Sequence, residues 1–146
     1  MRLDEKDRQI LSCLEADARA SYSEVAATVG MSQSAVHERV RKLEEGGAIK
    51  GYRADIDRDA IGLPITAIVS LALSPTSPEN IPALIAEFGL VESCYSIAGD
   101  NSYALIVRAP STKDLESLVD ALRSKLSVTT RTTIVLSTPF EDRPLL

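Results

Sequence analysis

Apolar positions in the first third of the chain recur at the spacing of amphipathic helices. Three helices are predicted, and each has a capping residue at its start, namely Asp4, Ser21 and Ser32. Gly30 ends the second helix in the manner of a left-handed C-terminal glycine. Because a turn of about three residues containing this glycine joins the second and third helices, the segment 22–41 predicts a helix-turn-helix motif.

From Ile65 onward the apolar period changes to two, which is typical of strands. Two helical patterns interrupt the strands. One begins at Ser77 or Asn80, has an apolar stripe that continues to Phe88 and ends at Gly89, and the other begins at Ser111. The resulting order is β-α-β-β-α-β, the ferredoxin-like plan, so the predicted fold class is α+β. The predicted strands span residues 65–73, 91–98, 103–109 and 128–136.

The change of period divides the chain into two domains. Residues 1–53 are predicted to form a winged or three-helix helix-turn-helix domain, and residues 65–146 a ferredoxin-like domain. Residues 54–64 are predicted to be a linker strand and hinge, because Gly62 and Pro64 punctuate its end.

The two helices of the second domain can cover only one face of its predicted sheet. The other face still carries Ile68 and Ala72 on the first strand, and Ala104 and Ile106 on the third. An apolar patch of this size is rare on a monomer. We therefore expect two such sheets to pack together in a symmetric homodimer.

Composition excludes several classes of protein. The chain has 146 residues, 45% apolar and 25% charged, which is an ordinary globular balance. No apolar stretch reaches the ~18 residues of a membrane span, and the N-terminus lacks the apolar core of a signal peptide. These features predict a cytoplasmic protein with no membrane contact. Cys13 and Cys94 are expected to be packed, reduced thiols, because with His37 they are too few for a disulfide framework or a zinc site.

The formal net charge of −5 is distributed unevenly. Residues 1–53 carry nine basic and nine acidic side chains and sum to zero, whereas the rest of the chain carries seven basic and twelve acidic ones. Within residues 39–53 five basic side chains stand against two acidic ones. The positive charge is therefore concentrated around the third helix, where a DNA-facing helix would need it.

The third helix carries side chains that are suited to DNA. Glutamine can pair with an adenine edge through two hydrogen bonds, and a helix N-terminus can approach a phosphate. Lysine and arginine hold phosphates without reading sequence. His37 lies near one face with Gln33 and Arg41, although a surface position with no special role is the alternative. The predicted DNA-binding residues are Ser32, Gln33, Ser34, His37, Arg39, Arg41 and Lys42.

Two assignments stay open on the residues alone. Arg39 has a second interpretation, in which it pairs with Glu15 or Asp17 and braces the fold. The segment Gly99-Asp-Asn-Ser102 is either a plain hairpin turn or a ligand site shared between subunits.

The sequence contains no Gly-Lys-Ser phosphate loop and no Gly-x-Ser-x-Gly elbow. A nucleophile–base pair would require one of the two cysteines beside His37, and both cysteines fall in apolar patterns. We therefore predict that the protein is not an enzyme and needs no cofactor or metal.

Four motifs point to one family: Leu3-Asp4-x-x-Asp7-x-x-Ile10-Leu11-x-x-Leu14, Val29-Gly-Met-Ser32, Arg39-Val-Arg-Lys-Leu-Glu44 and Ile97-Ala-Gly99-Asp100-x-x-Tyr103. Together they resemble the Lrp/AsnC family, also called feast/famine regulatory proteins. The resemblance implies a bacterial or archaeal transcription regulator whose C-terminal domain senses amino acids. It also implies dimers that assemble further, commonly to octamers, with the amino acid bound between neighbouring dimers.

By the same resemblance, the effector-binding residues are Gly99, Asp100, Ser102 and Tyr103. Ser102 departs from the pattern, because many members have an aspartate at that position. A hydroxyl does not supply the same charge to a ligand amine.

The predicted function is therefore a sequence-specific regulator of transcription that binds double-stranded DNA in the nucleoid. An amino acid or related small metabolite modulates it. Three alternatives stand beside this prediction. They are an architectural DNA-compacting protein without an effector, a protein that binds another regulator, and an enzyme like the haem-pathway decarboxylases. The decarboxylases also resemble the family, but they depend on polar pocket residues including histidine, which the C-terminal half lacks.

Overall fold

A computed structural model describes residues 2–145. The chain separates into two compact units. The helical unit comprises the chain up to Asp55 together with the C-terminal segment from Phe140, and the sheet unit is Ile56–Pro139. The fold class predicted from the sequence, helix-turn-helix helices followed by a four-stranded antiparallel sheet with helices, is confirmed.

The helical unit contains α1 (Glu5–Ala16), α2 (Tyr22–Val29) and α3 (Gln33–Glu45). Capping boxes begin α1 and α2, where Asp4 pairs with Asp7 and Ser21 pairs with Glu24. Each helix buries one apolar stripe in a shared core, formed by Ile10, Leu14, Val25, Ala26, Val29, Val36, Val40 and Leu43.

The sheet unit follows the predicted β-α-β-β-α-β order. Its elements are β1 (Ile65–Ala72), α4 (Ile81–Ile85), β2 (Val91–Ser96), β3 (Tyr103–Ala109), α5 (Thr112–Leu126) and β4 (Thr129–Ile134). The strands lie in the order β2-β3-β1-β4 and pair antiparallel throughout.

The helix α4 is shorter than its apolar pattern indicated. The next backbone bonds, from Glu87 to Leu84 and from Phe88 to Ile85, have the tighter three-residue spacing that closes a helix end. Asn80 occupies the N-cap position in a left-handed conformation, but its side chain makes no capping hydrogen bond. Ser77, the other predicted cap, instead bonds to the backbone of Ser74 and Ser127.

The connector between the two units contains no strand in the described chain. Residues 51–57 have no regular structure, and none of the four strands of the sheet pairs with them. A turn follows, closed by bonds from Gly62 to Asp59 and from Leu63 to Arg58. Within the sheet unit Arg58 also binds Glu92 at 2.5 Å, so this turn is tied to the sheet.

The two faces of the sheet differ sharply. The face under α4 and α5 is fully buried and is formed by Ala67, Val69, Leu71, Leu105, Val107 and Ala109. The opposite face, here called the open face, pairs Ile68 with Ile106 and Ser70 with Ala104. Ile68 is 38% exposed, and Ile106 is only half-buried. The aliphatic surface predicted on this side of the sheet is therefore present in the single chain.

The cysteines were predicted to be packed thiols, and this is wrong for one of them. Both are free, but Cys94 is exposed on β2, whereas Cys13 is half-buried beside the helical core. Cys94 lies on β2, an edge strand of the sheet, and is exposed there. Partial burial still raises its pKa above the ordinary thiol value.

Candidate nucleic-acid interface and candidate effector segment

The turn between α2 and α3 fixes where α3 begins. Gly30 has φ +66°, a left-handed conformation that glycine adopts without strain. Met31 follows, half-buried against the helical core, and its N–H donates to the carbonyl of Ala26 at 3.0 Å. Ser32 then caps α3 by accepting from the N–H of Ala35 at 3.2 Å. The start of α3 is thus fixed by the left-handed conformation of Gly30 and by the apolar contact of Met31 with the helical core.

α3 has one buried face and one exposed face. Val36, Val40 and Leu43 are essentially inaccessible to solvent. At about 100° per residue, Glu38 lies roughly 170° around the helix from the middle of that stripe. The exposed side chains of α3 are Gln33, Ser34, His37, Glu38, Arg41, Lys42, Glu44 and Glu45. The predicted DNA-binding residues other than Arg39 are therefore exposed and do not belong to the buried core.

Arg39 is the exception among the predicted residues. Its guanidinium lies 2.7 Å from Asp4 Oδ2 and 2.7 Å from Asp7 Oδ1, so it joins α3 to the first turn of α1. The bracing interpretation is the one that the geometry supports, although the partners are not Glu15 or Asp17. The same two aspartates form the capping box of α1, so one cluster caps one helix and holds another. The hydrogen bonds that Arg39 donates to Asp4 and Asp7 raise the pKa of Arg39.

Two other basic side chains of α3, Arg41 and Lys42, are paired with carboxylates on the same helix. Arg41 binds Glu38 at 2.9 Å and Glu45 at 2.6 Å, and Lys42 lies 3.5 Å from Glu38. The hydrogen bond from Arg41 holds the pKa of Glu38 below its usual value. Counting charges along the chain missed these pairs, although their three- and four-residue spacing was a readable signal.

Two contacts orient the ends of the exposed face. The His37 ring lies 5.4 Å from the Tyr22 ring, centroid to centroid, which links α3 to the start of α2. Near the other end, Tyr52 Oη donates to Glu44 Oε1 at 2.9 Å and ties the connector to α3. Burial of the phenol, followed by this hydrogen bond, raises the pKa of Tyr52 to about 12.

The candidate effector segment is the turn between β2 and β3 in the sheet unit. Gly99 has φ +143°, again a conformation that favours glycine. Ser102 anchors the turn through its backbone: its N–H donates to Leu71 O at 2.8 Å, and its carbonyl accepts from Ile97 N–H at 3.0 Å. This places the turn beside the end of β1.

The predicted effector residues differ in exposure. Gly99 and Asp100 are exposed, whereas Ser102 is half-buried. Tyr103 is half-buried and packs against the sheet-unit core, so its ring is partly committed to the fold. The carboxylate of Asp100 is therefore the accessible charge of this segment.

Known families match both units. Residues 3–44 match the family model of the AsnC-type helix-turn-helix domain, and residues 66–145 match that of the Lrp/AsnC ligand binding domain. The HTH-type transcriptional regulator LrpA of Mycobacterium tuberculosis is 44% identical over 142 residues, which cover 97% of this chain and 95% of the relative. The HTH-type transcriptional regulator LrpC of Bacillus subtilis is 34% identical over 120 residues, which cover 82% and 83%.

Solved structures agree with these matches. The crystal structure of M. tuberculosis LrpA is similar at a TM-score of 0.84 and 42% identity, over 97% of this chain and 98% of that one. A feast or famine regulatory protein from M. tuberculosis, complexed with L-methionine, is similar at a TM-score of 0.93 and 43% identity, over 98% of both chains. In the part of the chain that the structure describes, no helix is long and apolar enough to cross a membrane.

Proposed function

Because this chain belongs to the Lrp/AsnC family of transcriptional regulators, we propose that it binds double-stranded DNA sequence-specifically through α3. We further propose that an amino acid or a related small metabolite, bound between subunits, modulates that binding. The exposed face of α3 is the observation that carries the first part. It follows a short glycine-containing turn, and its opposite face is sealed in the core.

The start of α3 is suited to base and phosphate contacts. Gln33 and Ser34 are exposed in the first turn, where backbone N–H groups of the helix N-terminus point outward. A glutamine amide can bond both donor and acceptor groups of an adenine edge. His37 lies one turn further along the exposed face. We assign Gln33 to base recognition, and Ser32, Ser34 and His37 to contacts around it.

Arg41 and Lys42 are assigned to phosphate contacts. Both are exposed, and exposed ion pairs of this kind are weak enough to be exchanged for phosphates. Arg39 is assigned a positioning role instead, since both of its close partners are carboxylates of α1.

The open face of the sheet supports a homodimer. Covering Ile68 and Ile106 with the same face of a second copy would bury aliphatic surface on both chains. A two-fold dimer presents two copies of α3, which suits half-sites about one helical turn, or a multiple of it, apart. Assembly to an octamer, and location in the nucleoid of the cytoplasm, remain predictions of the family resemblance.

The turn around Asp100 is proposed as part of the effector site. An exposed carboxylate can accept a charge-assisted hydrogen bond from a ligand ammonium group. Ser102 offers only a hydroxyl beside it, so a ligand amine meets less negative charge than an aspartate there would supply. A similar protein is known in complex with L-methionine, which supports an amino acid as the ligand class. The ligand changes DNA affinity only if it binds one subunit assembly more tightly than another, and a useful response needs a difference in binding free energy of about 1–3 kcal/mol.

Two substitutions test the DNA assignment. Lys42→Ala should weaken binding to every duplex and reduce the dependence of log K on log salt by about one phosphate contact. Gln33→Ala should relax preference at one base pair, at a cost of about 1–3 kcal/mol there. Fluorescence anisotropy against the chain's own upstream DNA and against random DNA measures both effects. If both variants bind the two duplexes as the parent does, the assignment of α3 is wrong.

A thermal-shift screen against the protein amino acids tests the effector assignment. A ligand at 100 times its Kd stabilises the native state by about 2.7 kcal/mol and raises the unfolding temperature. Asp100→Asn should abolish the shift without lowering the unfolding temperature of the ligand-free protein, because Asp100 is exposed. A shift that survives this substitution would place the ligand elsewhere.

A further inference from the structure

The exposed face of α3 has a carboxylate at its centre. Glu38 lies opposite the buried stripe of the helix, and its side chain is 49% exposed. Any duplex against which this face docks is lined with phosphates, and many of the base edges in its grooves are hydrogen-bond acceptors. A carboxylate is repelled by both. Only an exocyclic amino group, such as N4 of cytosine, donates to it in the major groove.

The same carboxylate holds the two cations that are proposed to contact phosphates. One oxygen of Glu38 lies 2.9 Å from Arg41 Nη2 and 3.5 Å from Lys42 Nζ, and the other lies 3.3 Å from Arg41 Nε. Glu38 therefore binds Arg41 in a bidentate geometry, and this interaction is stronger than a single hydrogen bond. Glu38 therefore holds Lys42 and shares Arg41 with Glu45, which lies 2.6 Å from Arg41 Nη1.

We propose that Glu38 is a specificity-determining residue that lowers binding to non-cognate DNA, an inference that rests on the proposed function of α3. On a duplex that places an exocyclic amino group opposite it, the carboxylate accepts that hydrogen bond. Arg41 and Lys42 are then released from Glu38, and Arg41 keeps its pair with Glu45. On other duplexes the carboxylate finds no donor and competes with the phosphates for both cations, so their phosphate contacts are weaker.

The test compares Glu38→Gln with the parent on two probes of equal length. One probe is the duplex that the parent enriches from a randomised pool, and the other is a random-sequence duplex. Each affinity is measured by anisotropy over a series of salt concentrations. Affinity for the random duplex should rise about tenfold, and its salt dependence should steepen by about 0.9 for each additional phosphate that the protein neutralises. Affinity for the enriched duplex should change much less, so the ratio between the two falls.

A control separates this effect from a change in net charge. Glu15→Gln removes the same charge from an exposed position on α1. A general change in net charge alters the affinity for both duplexes alike, because both carry the same number of phosphates. This variant should therefore leave the ratio of the two affinities unchanged. Both variants are exposed substitutions of similar size, and circular dichroism should give the parent's unfolding temperature for each.

A second comparison tests whether Glu38 affects DNA affinity through Arg41 and Lys42. In a chain that already carries Arg41→Gln and Lys42→Gln, Glu38→Gln should raise affinity for the random duplex much less than it does in the parent, because only the direct repulsion between the carboxylate and the duplex is then relieved. Equal changes on both probes, or an increase in affinity that is as large without the two cations as with them, would overturn the role of Glu38. Failure of the proposed function has a different signature, because the parent would then enrich no duplex from the pool.

Discussion

The helical unit and the sheet unit bury apolar stripes in the same manner, but they leave opposite kinds of surface exposed. The uncovered face of α3 is lined with charged and hydrogen-bonding groups, and its cations are paired with Glu38 and Glu45. The uncovered face of the sheet carries aliphatic side chains, with Ile68 opposite Ile106. The first surface is stable in water and exchanges its ion pairs readily, whereas the second is stabilised by being covered.

This contrast fits the two proposed contacts of the chain, one with DNA and one with a second copy of the chain. A polar helix face with replaceable ion pairs suits a charged polymer that binds and leaves. An aliphatic sheet face suits a lasting contact with a second copy, since apolar surface removed from water contributes roughly 25 cal/mol per Å². Substitutions in the core and on each surface should therefore have effects of different size and different kind.

The largest effect is expected in the core, where both units are alike. Leu122 on α5 is fully buried, and Leu122→Ala should destabilise the sheet unit by about 2–5 kcal/mol through lost packing and a cavity. Leu136, which is 97% exposed, is the matched control, and Leu136→Ala should change stability by less than about 0.5 kcal/mol. Urea unfolding at one fixed protein concentration measures both. Similar losses for the two leucines would contradict the position of the core.

A large effect on assembly is expected at the open face. Ile68→Asp would place two unpaired carboxylates in a two-fold contact, so the dissociation constant of the dimer should rise by about 100-fold or more. Sedimentation velocity over a concentration series measures this constant. Ile61→Asp is the control, because Ile61 is 54% exposed in the turn before β1 and lies outside the sheet. A parent chain that sediments as a monomer at micromolar concentration would remove the basis for the dimer.

The elements of both units were predictable where the signal is local. Ser21 and Glu24, or Asp4 before α1, reveal a helix start within four positions of sequence, and the structure has both caps. Strand β3 was predicted with its observed bounds because its apolar run lies between the polar turn 99–102 and Pro110. The helix α4 was predicted too long, since an apolar stripe does not show where the hydrogen bonds tighten.

The candidate interface was predictable only in part. The exposed positions of α3 follow from its buried stripe, and periodicity shows that stripe directly. The role of Arg39 depends on Asp4 and Asp7, which are 35 and 32 positions away, and no local rule connects them. The ion pairs of Glu38 with Arg41 and Lys42 follow from the rule that oppositely charged side chains three or four positions apart on a helix can pair. The net charge of a sequence window does not reveal these pairs.

The smallest expected effect concerns the cluster of Asp4, Asp7 and Arg39. Arg39→Met keeps the length of the side chain and removes both ion pairs, so the helical unit should lose about 1 kcal/mol of stability at neutral pH. Arg19→Met, an exposed arginine in the turn after α1, should cost less than about 0.5 kcal/mol. Thermal unfolding compares the two variants. If Arg39 contacts a phosphate instead, its replacement will reduce the salt dependence of DNA binding as Lys42→Ala does.

The stability of the helical unit at low pH should depend on the same cluster. A hydrogen bond from the backbone N–H of Asp7, and then one from Arg39, lowers the pKa of Asp4 below its usual 3.8. A carboxyl whose pKa is lowered by folding contributes stability above its unfolded pKa, and this contribution is lost as the pH falls through the lower folded value. Asp4→Asn keeps a good capping group but no titrating one, so this loss should disappear. Arg39→Met should reduce the loss without removing it, because the bond from Asp7 remains. An acid unfolding profile that Asp4→Asn leaves unchanged would show that Asp4 does not couple the two helices to pH.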